Sequence, residues 1–211
     1  MNRRTIMKAA VAVTLIATPI ASMLSSTSAW SAGVDPNAIL NDPDAPVGGN
    51  PNGDVTIVAF LDYNCPYCKK ATPVLDKLIQ TDGHIRLVYK DWPILSDASV
   101  YGAKAALAAK YQGKYDAVHA ALMAIPGRQV PISMMRDAVQ ASGVDMPRLE
   151  ADAKAHDAEI SALLKRNLAQ ADSLGLEGTP VFLIGPFKVA AALDFDGFKK
   201  SVADARARIA H

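Results

Sequence analysis

A continuous apolar and β-branched run, Val55 to Leu61, is bounded by Asp54 and Asp62. Without polar alternation it predicts a strand buried on both faces. From about Pro66 to Gln80 the spacing changes: Leu75, Leu78 and Ile79 share one helical face, and Gly83 stands just past the end. Ile85, Leu87, Val88 and Tyr89 form a second apolar run, closed by Asp91-Trp92-Pro93. Strand, helix and strand in so short a stretch predict a βαβ unit with parallel strands.

From about Asp97 to Ser173 the pattern is helical throughout. It comprises an Ala-rich stretch around Tyr101 to Met123, a second around Ser133 to Gly143 and a third around Pro147 to Leu174, punctuated by Pro126-Gly127, Pro131 and Gly143. A third strand, Val181 to Ile184, follows Gly178-Thr179-Pro180. Gly185-Pro186 then turns the chain into an antiparallel strand, Phe187 to Leu193. Asp194 or Asp196 can cap a last helix running to about Ile209. Between Gly33 and Gly53, the residues Pro36, Pro43, Pro46, Gly48, Gly49 and Pro51 favour turns and extended chain over any helix. The expected class is α/β: a small sheet, residues 54–96 and 174–211, with an all-helical segment, 97–173, inserted between its second and third core strands. Residues 33–53 form an extended leader, too short and broken for a coiled coil.

Composition narrows the function. The 211 residues are 50% hydrophobic, with 22 Lys and Arg against 21 Asp and Glu. That balance offers no basic surface for a phosphate backbone, so nucleic acid is not an expected partner, and the apolar content argues against disorder. Arg3, Arg4 and Lys8 precede an apolar run, Ala9 to Ala21, and then small residues, Ser25 to Ala29. This is the layout of a cleaved secretory signal, residues 1–32, and the run of about thirteen residues is short of the roughly twenty that span a bilayer. The Arg3-Arg4 pair fits either an ordinary basic leader or a twin-arginine signal. Cleavage removes three bases and no acid, so the mature chain is mildly acidic and resides in an oxidising compartment, the periplasm.

The two cysteines lie at Cys65-Pro66-Tyr67-Cys68, where the buried strand gives way to the helix. Cys65 is expected at the first helical position, where unpaired backbone N–H groups and the positive dipole end favour a thiolate. Pro66 suits the first turn because its missing N–H is not needed there. Cys68, one turn deeper, can close a disulfide, giving an attacking and a resolving thiol. A structural disulfide would close too short a loop to stabilise the chain much, and a metal site would need ligands beyond this pair. Cu(I) is the guest that two thiolates would suit best.

As a set, Phe60 to Lys69, Pro73 and the distal Gly178-Thr179-Pro180 resemble the thioredoxin-like fold of the DsbA family, and the Asp62-Tyr63-Asn64-Cys65 context resembles its ScsC-like (suppressor of copper sensitivity) branch. The resemblance covers roughly residues 38 to 208, helical insertion included. It implies that Pro180 is a cis-proline lying against the Cys65 sulfur and exposing the backbone of Thr179 to an extended substrate peptide. It implies that Pro73 kinks the first helix. Pro66 and Tyr67, between the sulfurs, are read as supporting the site, Tyr67 as a groove wall or as ordinary packing beside a helix start. The resemblance also implies a thiol-disulfide oxidoreductase without organic or metal cofactor, acting on cysteine-containing proteins or peptides and exchanging electrons with a membrane redox partner of the oxidase or reductase type. Isomerases of the family that this chain resembles commonly rely on an extra N-terminal dimerisation or trimerisation segment, which residues 33–53 are too short and proline-rich to supply, so the resemblance implies a monomer and dithiol oxidation. A reductase or isomerase, and a periplasmic copper-binding protein using the same thiolates, are the alternatives.

One position departs from the family pattern. Many relatives carry a buried acid six residues before the first cysteine, and here that residue is Ala59. Asp62 is near in sequence but is expected to point elsewhere. His84, His119, His156 and His211 belong to no motif and are read as surface or satisfied core. Met123, Met134, Met135 and Met146 are read as core filling, and Tyr63 as ordinary packing or a groove wall.

Overall fold

In the computed structural model, which describes residues 35–209, five strands make one sheet: β1 (Val47–Gly49), β2 (Val55–Leu61), β3 (Ile85–Asp91), β4 (Val181–Ile184) and β5 (Phe187–Val189). The expected signal segment, residues 1–32, lies outside the described residues. The spatial order is β1-β3-β2-β4-β5, with β2 parallel to β3 and every other pair antiparallel. The βαβ unit is therefore as expected, its crossover being α2 (Pro66–Asp82), which ends on Gly83 in the left-handed conformation.

The unbroken apolar character of β2 follows from two cores. Val55, Ile57, Ala59 and Leu61 face a large cluster with α2, the inserted helices and the C-terminal helix α8 (Phe195–Ile209). Val58 and Phe60 face a smaller one with Ile39, Trp92 and Ala171.

The leader departs from expectation. It contains a short helix, α1 (Pro36–Leu40), and the edge strand β1. Asp35 caps α1 by accepting from the Asn37 N–H, and Pro36 occupies the first turn, where proline is preorganised. Burial of Ile39 in the second core holds this helix in place. The leader is also fastened by charge. Lys90 of β3 is fully buried, its Nζ 3.4 Å from Asp42, and Arg166 spans Asp42 (3.0 Å) and Asp44 (2.6 Å).

The insertion is five helices rather than three: α3 (Asp97–Ala109), α4 (Tyr115–Met123), α5 (Ile132–Ala141), α6 (Met146–Ala155) and α7 (Asp157–Ser173). The first expected helix breaks where a 3₁₀ turn, Lys110–Gln112, meets Gly113 at φ +65°. The third breaks at His156, whose ring stacks on Tyr111 at 3.7 Å and whose Nδ1 meets Glu159 at 2.8 Å, fixing a corner. The large core runs from the sheet through Ala103, Leu122 and Leu163 without interruption. The last expected strand is shorter than predicted, ending at Val189, and Asp194 rather than Asp196 caps α8 by accepting from Gly197 N–H at 2.8 Å.

Asp42→Ala leaves Lys90 buried without its anion. Breaking such a pair is expected to destabilise the fold by about 3 kcal/mol, read as a lower urea midpoint at unchanged slope.

Candidate active site

Cys65 is the N-cap of α2 rather than its first helical residue. Its backbone is extended, with φ −80° and ψ 116°, and its Sγ accepts the Cys68 N–H at 3.4 Å. Pro66 occupies the first turn and Pro73 lies inside the helix, where it leaves the Lys69 carbonyl without its usual donor. Cys68 is completely buried, whereas Cys65 is reached from a groove of about 420 Å³ between Tyr67, Leu95, Arg128 and Thr179. The Thr179–Pro180 peptide bond is cis, and the Thr179 carbonyl accepts from the Cys65 thiol at 3.2 Å. A second groove, of about 600 Å³, opens on the other side of this loop between Tyr67, Pro180 and Ala190 to Ala192. Cys65, Tyr67, Thr179 and Pro180 thus meet at one place, from segments more than a hundred residues apart.

The two sulfurs are electrostatically unlike. The Cys68 thiol, donating to Cys65, pulls the Cys65 pKa down to about 6; burial opposes this, and the Thr179 side chain and the amides of Cys68 and Tyr67 assist. Burial, above all, pushes Cys68 far up, with the neighbouring Cys65 sulfur adding to it. The pair therefore holds one reactive thiolate and one protonated thiol at neutral pH.

The frame around the sulfurs comes from residues that sequence reasoning undervalued. Asp62 is buried as a hub: Oδ1 accepts from Asn64 N–H and Ser99 Oγ, both at 2.7 Å, and Oδ2 accepts from Ile94 N–H at 2.8 Å and Leu95 N–H at 3.0 Å. Asn64, directly before Cys65, accepts from Val130 N–H at 2.8 Å and donates to Val130 O at 3.2 Å and to Ser96 Oγ at 2.7 Å. The available signal was Asp-x-Asn, since an aspartate that binds the N–H two residues on is an Asx turn. His119, left aside on sequence grounds, is buried with Nδ1 2.9 Å from the Tyr63 hydroxyl. Ala59 pairs in register with Tyr89, so the usual position of the buried acid lies beside an aromatic residue on the neighbouring strand.

A thioredoxin family model matches residues 41–204. The chain belongs to the thioredoxin family. Among solved structures, this thioredoxin-family chain is 40% identical to a thioredoxin-like oxidoreductase from Silicibacter pomeroyi, over 82% of this chain and 99% of that one, with a TM-score of 0.76. It is 30% identical to the thiol-disulfide exchange protein alpha-DsbA2 from Wolbachia pipientis, over 80% and 90% of the two chains, with a TM-score of 0.74. The catalytic domain of Proteus mirabilis ScsC is 26% identical over 81% and 94%, with a TM-score of 0.72. The resemblance to the DsbA family and its ScsC-like branch, and the thioredoxin-like α/β fold, are borne out. Among curated proteins, a Na(+)/H(+) antiporter NhaA 3 from Salinispora tropica is 29% identical over 71% of this chain and 24% of its own length. The chain therefore spans about a quarter of the length of the curated relatives it matches.

Iodoacetamide should alkylate one cysteine of the reduced protein, Cys65, with a pH midpoint near 6, whereas Cys68 reacts only after denaturation. The folded pKa lies below the free-thiol value of about 8.5. The thiolate therefore stabilises the reduced fold fully above that value, and this contribution is lost as pH falls through 6. Alkylation of both cysteines at equal rates would contradict the asymmetry.

Proposed function

We propose that this chain is an exported protein thiol-disulfide oxidoreductase that acts as a dithiol oxidase. The observation that carries the reading is the placement of Cys65: a capping sulfur with a pKa near 6, one turn from a buried thiol, against a cis Thr179–Pro180 bond and an open groove. In the oxidised protein, a substrate thiolate attacks Cys65 Sγ and the Cys65–Cys68 bond breaks. Cys68 leaves and takes up a proton, as its raised pKa favours. A second substrate thiolate attacks the substrate sulfur of the mixed disulfide, expelling Cys65 as a thiolate. Two electrons pass from the substrate dithiol to the protein disulfide. The Thr179 backbone aligns the substrate as an added strand and Pro180 shapes the loop, with Pro66 and Tyr67 supporting the site.

Dithiol oxidation is favoured over reduction because a stabilised Cys65 thiolate stabilises the reduced protein, which makes the disulfide oxidising. Residues 1–32 and the ScsC and DsbA resemblance support a periplasmic location, where a membrane redox partner would reoxidise the pair. No helix among the described residues is long and apolar enough to cross a membrane. The copper-binding alternative draws on the same two sulfurs, with no group of three or more His, Cys, Asp or Glu able to hold a metal among the described residues.

Equilibration of the mature protein with glutathione buffers should give a reduction potential well above the thioredoxin value of about −270 mV, in the range of about −180 to −120 mV. The protein should form disulfides in a reduced, unfolded test protein, and Cys65→Ser should abolish this. A potential near that of thioredoxin would replace the oxidase reading with a reductase, and stoichiometric Cu(I) lost in Cys65→Ser would favour the copper reading.

A further inference from the structure

The groove beside Cys65 is walled on one side by a loop of the inserted segment, Gly127 to Val130, whose two ends are gripped by the residues that flank the cysteine pair. Asn64, immediately before Cys65, holds the N–H and the carbonyl of Val130. Lys69, immediately after Cys68, donates from Nζ to the Gly127 carbonyl at 3.1 Å. Between these anchors the chain turns through Gly127 at φ +84° and Gln129 at φ +57°. The second value is uncommon for a residue with a side chain. Such a conformation persists when its surroundings over-determine it, and here the two anchors do so. The residue displayed between them is Arg128.

Arg128 is exposed and lines the groove with Cys65, Tyr67, Leu95 and Thr179. It enters no ion pair among the described residues. No carboxylate lines this groove, whereas the groove on the far side of Pro180 contains both Glu177 and Lys188. The groups that depress the Cys65 pKa are Cys68, Thr179 and local amides, so Arg128, which lines the same groove, takes no part in holding the thiolate. Guanidinium geometry suits a carboxylate, which it can bind through two parallel hydrogen bonds.

We propose that Arg128 is a specificity-determining residue that selects substrate segments carrying Asp or Glu beside the reacting cysteine, with Asn64 and Lys69 holding its loop over Cys65. This rests on the oxidoreductase reading and names the substrate class for it. Apolar contact with Tyr67 and Leu95, both exposed, would hold the rest of the peptide.

The test uses three single-cysteine peptides, identical except for Glu, Gln or Lys two residues to either side of the cysteine, each in excess over the oxidised full-length mature protein. Loss of the Cys65–Cys68 disulfide is followed by acid quenching and thiol labelling. Flanking charge alters the intrinsic reactivity of a thiol, so the quantity compared is the Glu-to-Gln rate ratio of the wild type divided by the same ratio for Arg128→Gln, in which that intrinsic part cancels. A value of about threefold at low ionic strength is expected for a partly exposed ion pair. It should fall towards one as salt approaches about 1 M, where the screening length shrinks to about 3 Å. Arg128→Glu should prefer the Lys peptide. A value of one at low salt, with all three peptides reacting, overturns the role of Arg128 and leaves the oxidoreductase reading intact. Failure of the wild type to react with any of the peptides overturns that reading, and this proposal with it.

Discussion

Burying the Asp62 carboxyl group at the end of the central strand obliges the surrounding chain to supply it with donors, because an unpartnered buried polar group costs several kcal/mol. The donors come from three places: the Asn64 amide in the turn to α2, the Ile94 and Leu95 amides after β3, and the Ser99 hydroxyl at the start of α3. These segments form the mouth of the site. The turn delivers Cys65 to the helix N-terminus, Leu95 walls the groove, and α3 begins the insertion. Asn64 continues the same logic by binding both backbone groups of Val130. The insertion is thus tied to Asp62 and Asn64, three and one positions before the reactive cysteine, as well as sharing the main core.

With that frame fixed, the difference between the two sulfurs follows from depth. Cys65 caps the helix and is lowered because it accepts from Cys68 and from amides that have no other partner. Cys68, one turn further in, meets apolar neighbours and is raised. The C-x-x-C spacing produces both effects together, since three residues is the distance from a cap to the first buried position of the helix face.

Much of this was legible from the chain. The run Val55 to Leu61 carried the central strand because both its faces are buried, and Gly83 marked the helix end because only a left-handed residue closes it. Cys65, Cys68, Thr179 and Pro180 were readable as a motif set. The leader helix was not legible, because its proline-rich composition is common to turns and helix starts, and burial of Ile39 decides between them. The corner at His156 depends on Tyr111, and Arg128 reaches the groove only because Asn64 and Lys69 hold its loop. Each depends on a partner dozens of residues away, which a local pattern does not encode.

The replacement of an acid by Ala59 has a structural counterpart. Its neighbour in register is Tyr89, and the next pair on the same face is Leu61 with Asp91, about 7 Å nearer the strand ends. Asp91 is wholly buried and accepts from Tyr115 Oη at 3.1 Å; burial raises its pKa to about 7, although hydrogen bonds from Tyr63 and Tyr115 pull it down and Asp62 adds to the rise. A carboxyl group raised in the fold stabilises it below the unfolded value and loses that contribution as pH rises through 7. The depressed Cys65 thiol gains its contribution over an overlapping range. In the dithiol protein the two trends oppose one another between about pH 6 and 7. Oxidation to the disulfide therefore removes the cysteine contribution from the pH dependence of stability and leaves that of Asp91, which Tyr115 on α4 holds by a hydrogen bond.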